Sequence, residues 1–106
     1  MSADNNCNFV GRLTREPELK YTNGGTAVCI IDVAVFTYYD KKNQEEKVCF
    51  PRFKKYGKAA ENLAKNLEKG QLVSIQAEFR LDRGDNKYYP WFQIVDIRFK
   101  TKASKN

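Results

Sequence analysis

The sequence predicts an all-β domain with one helix: a small closed barrel of five strands, the helix lying between the third and fourth. Three observations lead there. Five segments rich in β-branched and aromatic residues are separated by turn residues. One stretch alone has helical spacing. The length of 106 residues suits a single domain, since chains below roughly 150 residues seldom hold two cores.

Cys7–Thr14 reads as the first strand, with Gly11 marking a bend or bulge. Asn23-Gly24-Gly25 is a turn signal, and Ala27–Tyr39 follows as a long second strand. Asp40–Glu46 is a charged loop, and Lys47–Tyr56 reads as the third strand. Lys58–Lys69 is the helix: Ala60, Leu63, Ala64 and Leu67 recur at helical spacing, Glu61 and Lys65 pair at i,i+4, and Gly70 ends it. Leu72–Leu81 alternates, placing Val73, Ile75, Ala77 and Phe79 on one face. Asp82–Lys87 is a compact hairpin turn, and Tyr88–Phe99 closes the barrel. Three strands, a helix and two strands describe a barrel of the OB type. Residues 1–100 are expected to form this one domain, with 101–106 a short basic tail.

The chain carries 19 Lys and Arg against 13 Asp and Glu, a formal +6, and no His. Without His, the commonest general base and metal ligand is missing, so neither enzymatic activity nor a cofactor is expected. Phe50–Lys58 holds Arg52, Lys54, Lys55 and Lys58 with no acid; Arg98–Asn106 holds Arg98, Lys100, Lys102 and Lys105, again with none. The other 11 basic residues face 13 acids, so the remainder is net −2. Localised positive charge is the footprint of a polyanion binder, although charge alone also serves solubility. No apolar run nears the ~20 residues that span a bilayer, and Met1–Asn6 is too polar for a signal peptide.

Cys7, Cys29 and Cys49 lie about twenty residues apart, without the short spacing of a zinc knuckle or redox dithiol. Beside apolar residues on strands, they read as small core hydrophobes in a reducing, cytosolic setting.

Period-two alternation puts Phe50, Arg52, Lys54 and Tyr56 on one face of the third strand, with Cys49, Pro51 and Phe53 turned to the core. That face reads aromatic, basic, basic, aromatic. Single-stranded nucleic acid needs this mixture, because unstacked bases offer π-faces to rings and phosphates need nearby cations. Duplex DNA would not use the rings. Tyr38, Tyr39 and Lys41 at the end of the second strand extend the platform, as do Arg80, Arg83, Tyr88, Tyr89 and Trp91 around the last hairpin. Tyr39 and Trp91 are assigned to contact and Phe36 and Phe92 to the core; Tyr38 and Tyr88 fit either.

Three motifs in order carry a resemblance: GRLTREPELKYTNGGTAV over Gly11–Val28, the aromatic strand running into Tyr56-Gly57-Lys58-Ala59-Ala60-Glu61-Asn62, and Leu67-Glu68-Lys69-Gly70-Gln71-Leu72-Val73. Together they resemble the bacterial-type single-stranded DNA-binding protein family, over roughly Asn6 to Phe99. The resemblance implies an OB-fold that coats single-stranded DNA in replication, recombination and repair, within the cytoplasm, as a dimer or tetramer pairing through Cys7–Val10. It puts the stacking rings on Tyr39, Phe50 and Tyr56, and basic contacts on Arg12, Arg52, Arg80 and Arg83. Trp is usual at the first two ring positions, which implies weaker stacking per base here.

Three departures stand out. The Asp82–Lys87 hairpin is short and lacks the ring often found there. Lys54 and Lys55 replace mostly aliphatic residues. The chain stops at a basic Thr101–Asn106 instead of a long tail with an acidic tip, so recruitment of repair enzymes through such a tip is not expected. These features suggest a short form, as from a phage, mobile element or competence system, or a truncation. The rival expectation is an OB-fold primosome or replication accessory that mainly binds protein. Asp82/Asp85 and Glu45/Glu46 are paired carboxylates, but they sit in charged turns.

Overall fold

A computed structural model describes residues 4–101; the tail expected at 101–106 lies almost wholly outside the described residues. The chain runs β1 (Cys7–Leu13), β2 (Glu18–Tyr21), β3 (Ala27–Asp40), β4 (Glu45–Cys49), β5 (Arg52–Tyr56), α1 (Lys58–Asn66), β6 (Leu72–Gly84) and β7 (Lys87–Thr101). Five strands close a ring: β1 pairs β6, β6 pairs β7, β7 pairs β5 in parallel, β5 pairs β3, and β3 returns to β1. This is the OB-type barrel that the pattern predicts. Two of its seams are short, with two register pairs each: Phe53↔Phe92 and Lys54↔Gln93 between β5 and β7, Arg12↔Ala34 and Leu13↔Val33 between β1 and β3.

Gly11 lets β1 reach β3. A Cβ there would lie 2.2 Å from the Ala34 carbonyl oxygen and 2.7 Å from Val33 Cγ1, so the backbones approach at a distance that only glycine permits. Inside the ring, Leu13, Ile31, Val33, Phe53, Val73, Ile75, Ala77 and Ile94 form the core, closed by Ala60 and Leu63 from α1 and by Leu67 just after it. Phe9, Phe53 and Phe92 pack with ring centroids 4.8–5.5 Å apart, the spacing of favourable aromatic pairs.

Several expectations are corrected. The third strand is broken: Pro51 has no N–H and restricts Phe50 before it, so β4 and β5 pair with different parts of β3. Alternation therefore does not run through Pro51, and Cys49 is exposed instead of buried. Glu18–Tyr21 forms a short extra strand against Ala27–Ile30, closed by the Asn23-Gly24-Gly25 turn with Gly25 at φ 87°. The helix ends at Asn66 rather than Lys69. Leu67 turns extended to stay buried, and the next residues bond to β1, Gly70 N–H donating to Leu13 O (2.9 Å) and Leu13 N–H to Gln71 O (3.1 Å). The last hairpin is longer than expected, pairing as far as Gly84↔Lys87 around Asp85-Asn86, with Asn86 at φ 60°. Phe36 is exposed, not a core residue.

Candidate nucleic-acid interface

Two surfaces gather the rings and cations. The first is the β3–β4 ribbon, where β3 runs on beyond the barrel and only β4 pairs it. With no barrel interior behind it, the ribbon exposes Phe36, Tyr38, Tyr39 and Val48, and Phe50 follows at its base with 63% of its surface open. The pairing shifts between Phe36↔Val48 and Tyr38↔Lys47. This bulge at Thr37 keeps Phe36 and Tyr39 on one face and turns Tyr38 to the other. Thr37 Oγ1 donates to Lys47 O (2.7 Å) and fixes the kink. Lys41 is exposed in the connecting turn. Asp40 orders that turn by accepting bonds from the Lys42 N–H (3.0 Å) and from Asn43 Nδ2 (2.9 Å). The Asn43 side chain, then its backbone N–H, holds the Asp40 carboxyl below the usual range.

The second surface is the outer face of β5, β7 and β6. Phe53 points inward and is 0% exposed, so Arg52, Lys54 and Tyr56 point outward, as period two requires. On β7, Trp91 shares that face; in register with it on β6 is Arg80. The Lys54 ammonium lies 4.7 Å from the Trp91 ring centroid, a cation–π distance, and the Tyr56 ring is 6.0 Å away. Arg52, Lys54, Asp82, Tyr89, Pro90 and Trp91 line a groove of about 510 Å³ here.

The cations differ in their freedom. Arg52 makes a bidentate pair with Asp32 (Nε–Oδ1 2.9 Å, Nη2–Oδ2 3.2 Å), and Arg15 Nε donates to the same carboxylate at 2.8 Å. Arg52, and secondarily Arg15, pulls the Asp32 carboxyl below the usual range, against its partial burial. Glu18 also pairs with Arg15 at 3.6 Å, so the two guanidiniums are balanced by two carboxylates, with Arg52 held outward. Arg80 is pinned by Glu78 (2.8 Å) and Gln93 (3.0 Å). Arg83 sits farther along the hairpin, 6.0 Å from the Tyr88 ring. Arg12 donates to Gly70 O (3.0 Å) on the exposed side of β1.

Of the expected site residues, Arg52, Lys54, Tyr56, Arg80 and Trp91 therefore share one face. Tyr39, Lys41 and Phe50 belong to the ribbon, Arg83 to the hairpin, and Arg12 to β1. Trp91 is 8% exposed and lies under Lys54 rather than open to solvent. Asp32 escaped the sequence reading, although an acid set between Ile31 and Val33 signals it; Tyr89, expected on the platform with Trp91, is exposed and lines the groove. Burial pushes the Cys29 thiol up to about 11, which makes it unreactive. Among the described residues no cluster of His, Cys, Asp or Glu could hold a metal ion, and no helix is long and apolar enough to cross a membrane.

An OB-type barrel with rings and cations on its outer face defines a class of nucleic-acid binders. Within that class the chain belongs to the single-strand binding protein family, whose family model matches residues 4–89. It is 42% identical over 79 residues to a single-stranded DNA-binding protein of Lactiplantibacillus plantarum, covering 74% of this chain and 40% of that protein. It is 37% identical over 104 residues to single-stranded DNA-binding protein 3 of Clostridium acetobutylicum, covering 92% of this chain and 72% of the relative. Bacillus subtilis single-stranded DNA-binding protein A is 33% identical over 79 residues, covering 74% and 46%. The chain spans about half the length of most of these relatives.

Proposed function

We propose that this chain binds single-stranded DNA with little sequence preference, without catalysis, and so coats and protects strands exposed in replication, recombination or repair. The observation that carries this is the arrangement of exposed rings (Tyr38, Tyr39, Phe50, Tyr56, Tyr89) beside outward cations on two adjoining parts of one barrel. Rings left in water gain nothing there. Stacked bases would cover them at ~1–3 kcal/mol per base, while Lys54, Lys41 and the held Arg52, Arg80, Arg83 and Arg12 meet phosphates. The relatives' names support the same ligand. Assembly into a dimer or tetramer belongs to the reading, since β1 pairs β3 only at Arg12 and Leu13, which leaves the Cys7–Val10 edge open on that side. The cysteines form no disulfide, which suits a reducing cytoplasm.

Fluorescence anisotropy with labelled oligo-dT and a duplex of equal length, titrated over salt, tests the reading. Single strands should bind far more tightly, with affinity falling linearly in log–log salt plots. Equal affinity for the duplex, or none at physiological salt, would instead favour an accessory module that binds protein. Light scattering with and without oligo-dT gives the assembly state.

A further inference from the structure

Among the described residues, the buried side-chain nitrogen or oxygen without a hydrogen-bond partner is Trp91 Nε1. Buried donors are nearly always satisfied, because an unmet one is destabilising. Trp91 also lines the 510 Å³ groove with Arg52, Lys54, Asp82, Tyr89 and Pro90, a volume within the ~300–1,000 Å³ of ligand clefts. Arg52 and Lys54 are donors and cannot serve an indole N–H. Asp82, two register pairs from Trp91 on the same face, leaves it unserved. The donor thus waits, beside two cations, for an acceptor that this barrel does not supply.

We infer that the groove seats one nucleotide through a base carbonyl: Trp91 Nε1–H donates to the carbonyl oxygen, and Arg52 and Lys54 hold the adjoining phosphate. This rests on the single-strand reading above and adds selectivity to it. Thymine, cytosine and guanine carry a carbonyl oxygen that projects beyond the ring; adenine's acceptors are nitrogens within the ring itself, which reach less far toward the donor. The Lys54 ammonium, now over the indole ring, is the group that a phosphate draws aside to open the seat.

The chain has one Trp, so its indole N–H gives one NMR signal, and the test needs no variant to begin. On binding oligo-dT or oligo-dC that signal shifts downfield; on oligo-dA it does not. Trp91→Phe, which keeps a ring and removes the donor, weakens oligo-dT and oligo-dC about tenfold, the scale of one hydrogen bond, and oligo-dA less than twofold. An indole signal that moves alike with all three oligonucleotides overturns the seat, as does an equal loss on all three in the variant; the stacking surface then still stands. Failure of the wild-type chain to bind any of them overturns the single-strand reading itself, and the seat with it.

Discussion

Phe50 and Phe53 lie three residues apart across Pro51, and the structure assigns them opposite duties. Phe53 is 0% exposed and packs against Phe9 at 5.2 Å and Phe92 at 5.5 Å. Phe53→Ala removes a core ring and leaves a cavity at the β5–β7 seam, a loss of about 3–5 kcal/mol. For a domain of this size that lowers Tm by roughly 15 °C or more, and a barrel of ordinary stability, about 5–15 kcal/mol, has little left. Phe50 is 63% exposed and is not part of the buried core, so Phe50→Ala should hold Tm within a few degrees. Its effect falls on DNA. A base–ring stack is worth ~1–3 kcal/mol, which at about 1.4 kcal/mol per decade weakens oligo-dT binding roughly 5- to 150-fold. Thermal melting and anisotropy on the same two variants separate the roles. If Phe50→Ala lowers Tm as Phe53→Ala does, or leaves affinity unchanged, the reasoning from exposure and strand parity is wrong.

Two further perturbations probe the frame. Gly11→Ala forces a Cβ to within 2.2 Å of the Ala34 carbonyl; a backbone clash of that kind cannot be relieved by a rotamer, so melting should show a loss of at least about 1–3 kcal/mol, whereas an unchanged Tm would mean the two strands part easily. Asp32 has a depressed folded pKa, owed first to Arg52. Its contribution is therefore present above the unfolded value near 3.8 and is lost as pH falls through the lower folded value. The Tm gap between wild type and Asp32→Asn should be widest at neutral pH and close progressively below about pH 4; a gap independent of pH would show that the Arg15–Asp32–Arg52 cluster does not stabilise through charge.

Much of the barrel was legible because its strands alternate against one interior: Val73, Ile75 and Ala77 announce their face by period alone, and the barrel places them all in the core. Legibility fails where that interior stops. Phe36 reads as a core residue because apolar side chains usually are, yet it stands on a ribbon that outruns the barrel. Cys49 was misassigned because parity was carried across Pro51, where the strand breaks. The outward set of Arg52, Lys54 and Tyr56 survived that error, since all three lie beyond the break. Asp32 could not be assigned as a partner for Arg52 from sequence, because the two are twenty residues apart and only the register of β3 on β5 makes them neighbours.

The two short seams divide the barrel into halves, β1, β6 and β7 on one side and β2 through β5 on the other. Each half is held internally by long antiparallel pairings, whereas the seams rest on two pairs apiece. Local opening in native proteins follows the least-supported boundaries, so amide exchange should be fastest along the seams relative to the barrel strands. Lys54 and Tyr56 belong to one half and Trp91 to the other. A strand of DNA resting on these residues would therefore tie the halves together, and its grip would register as slowed exchange at Phe53, Lys54, Phe92 and Gln93.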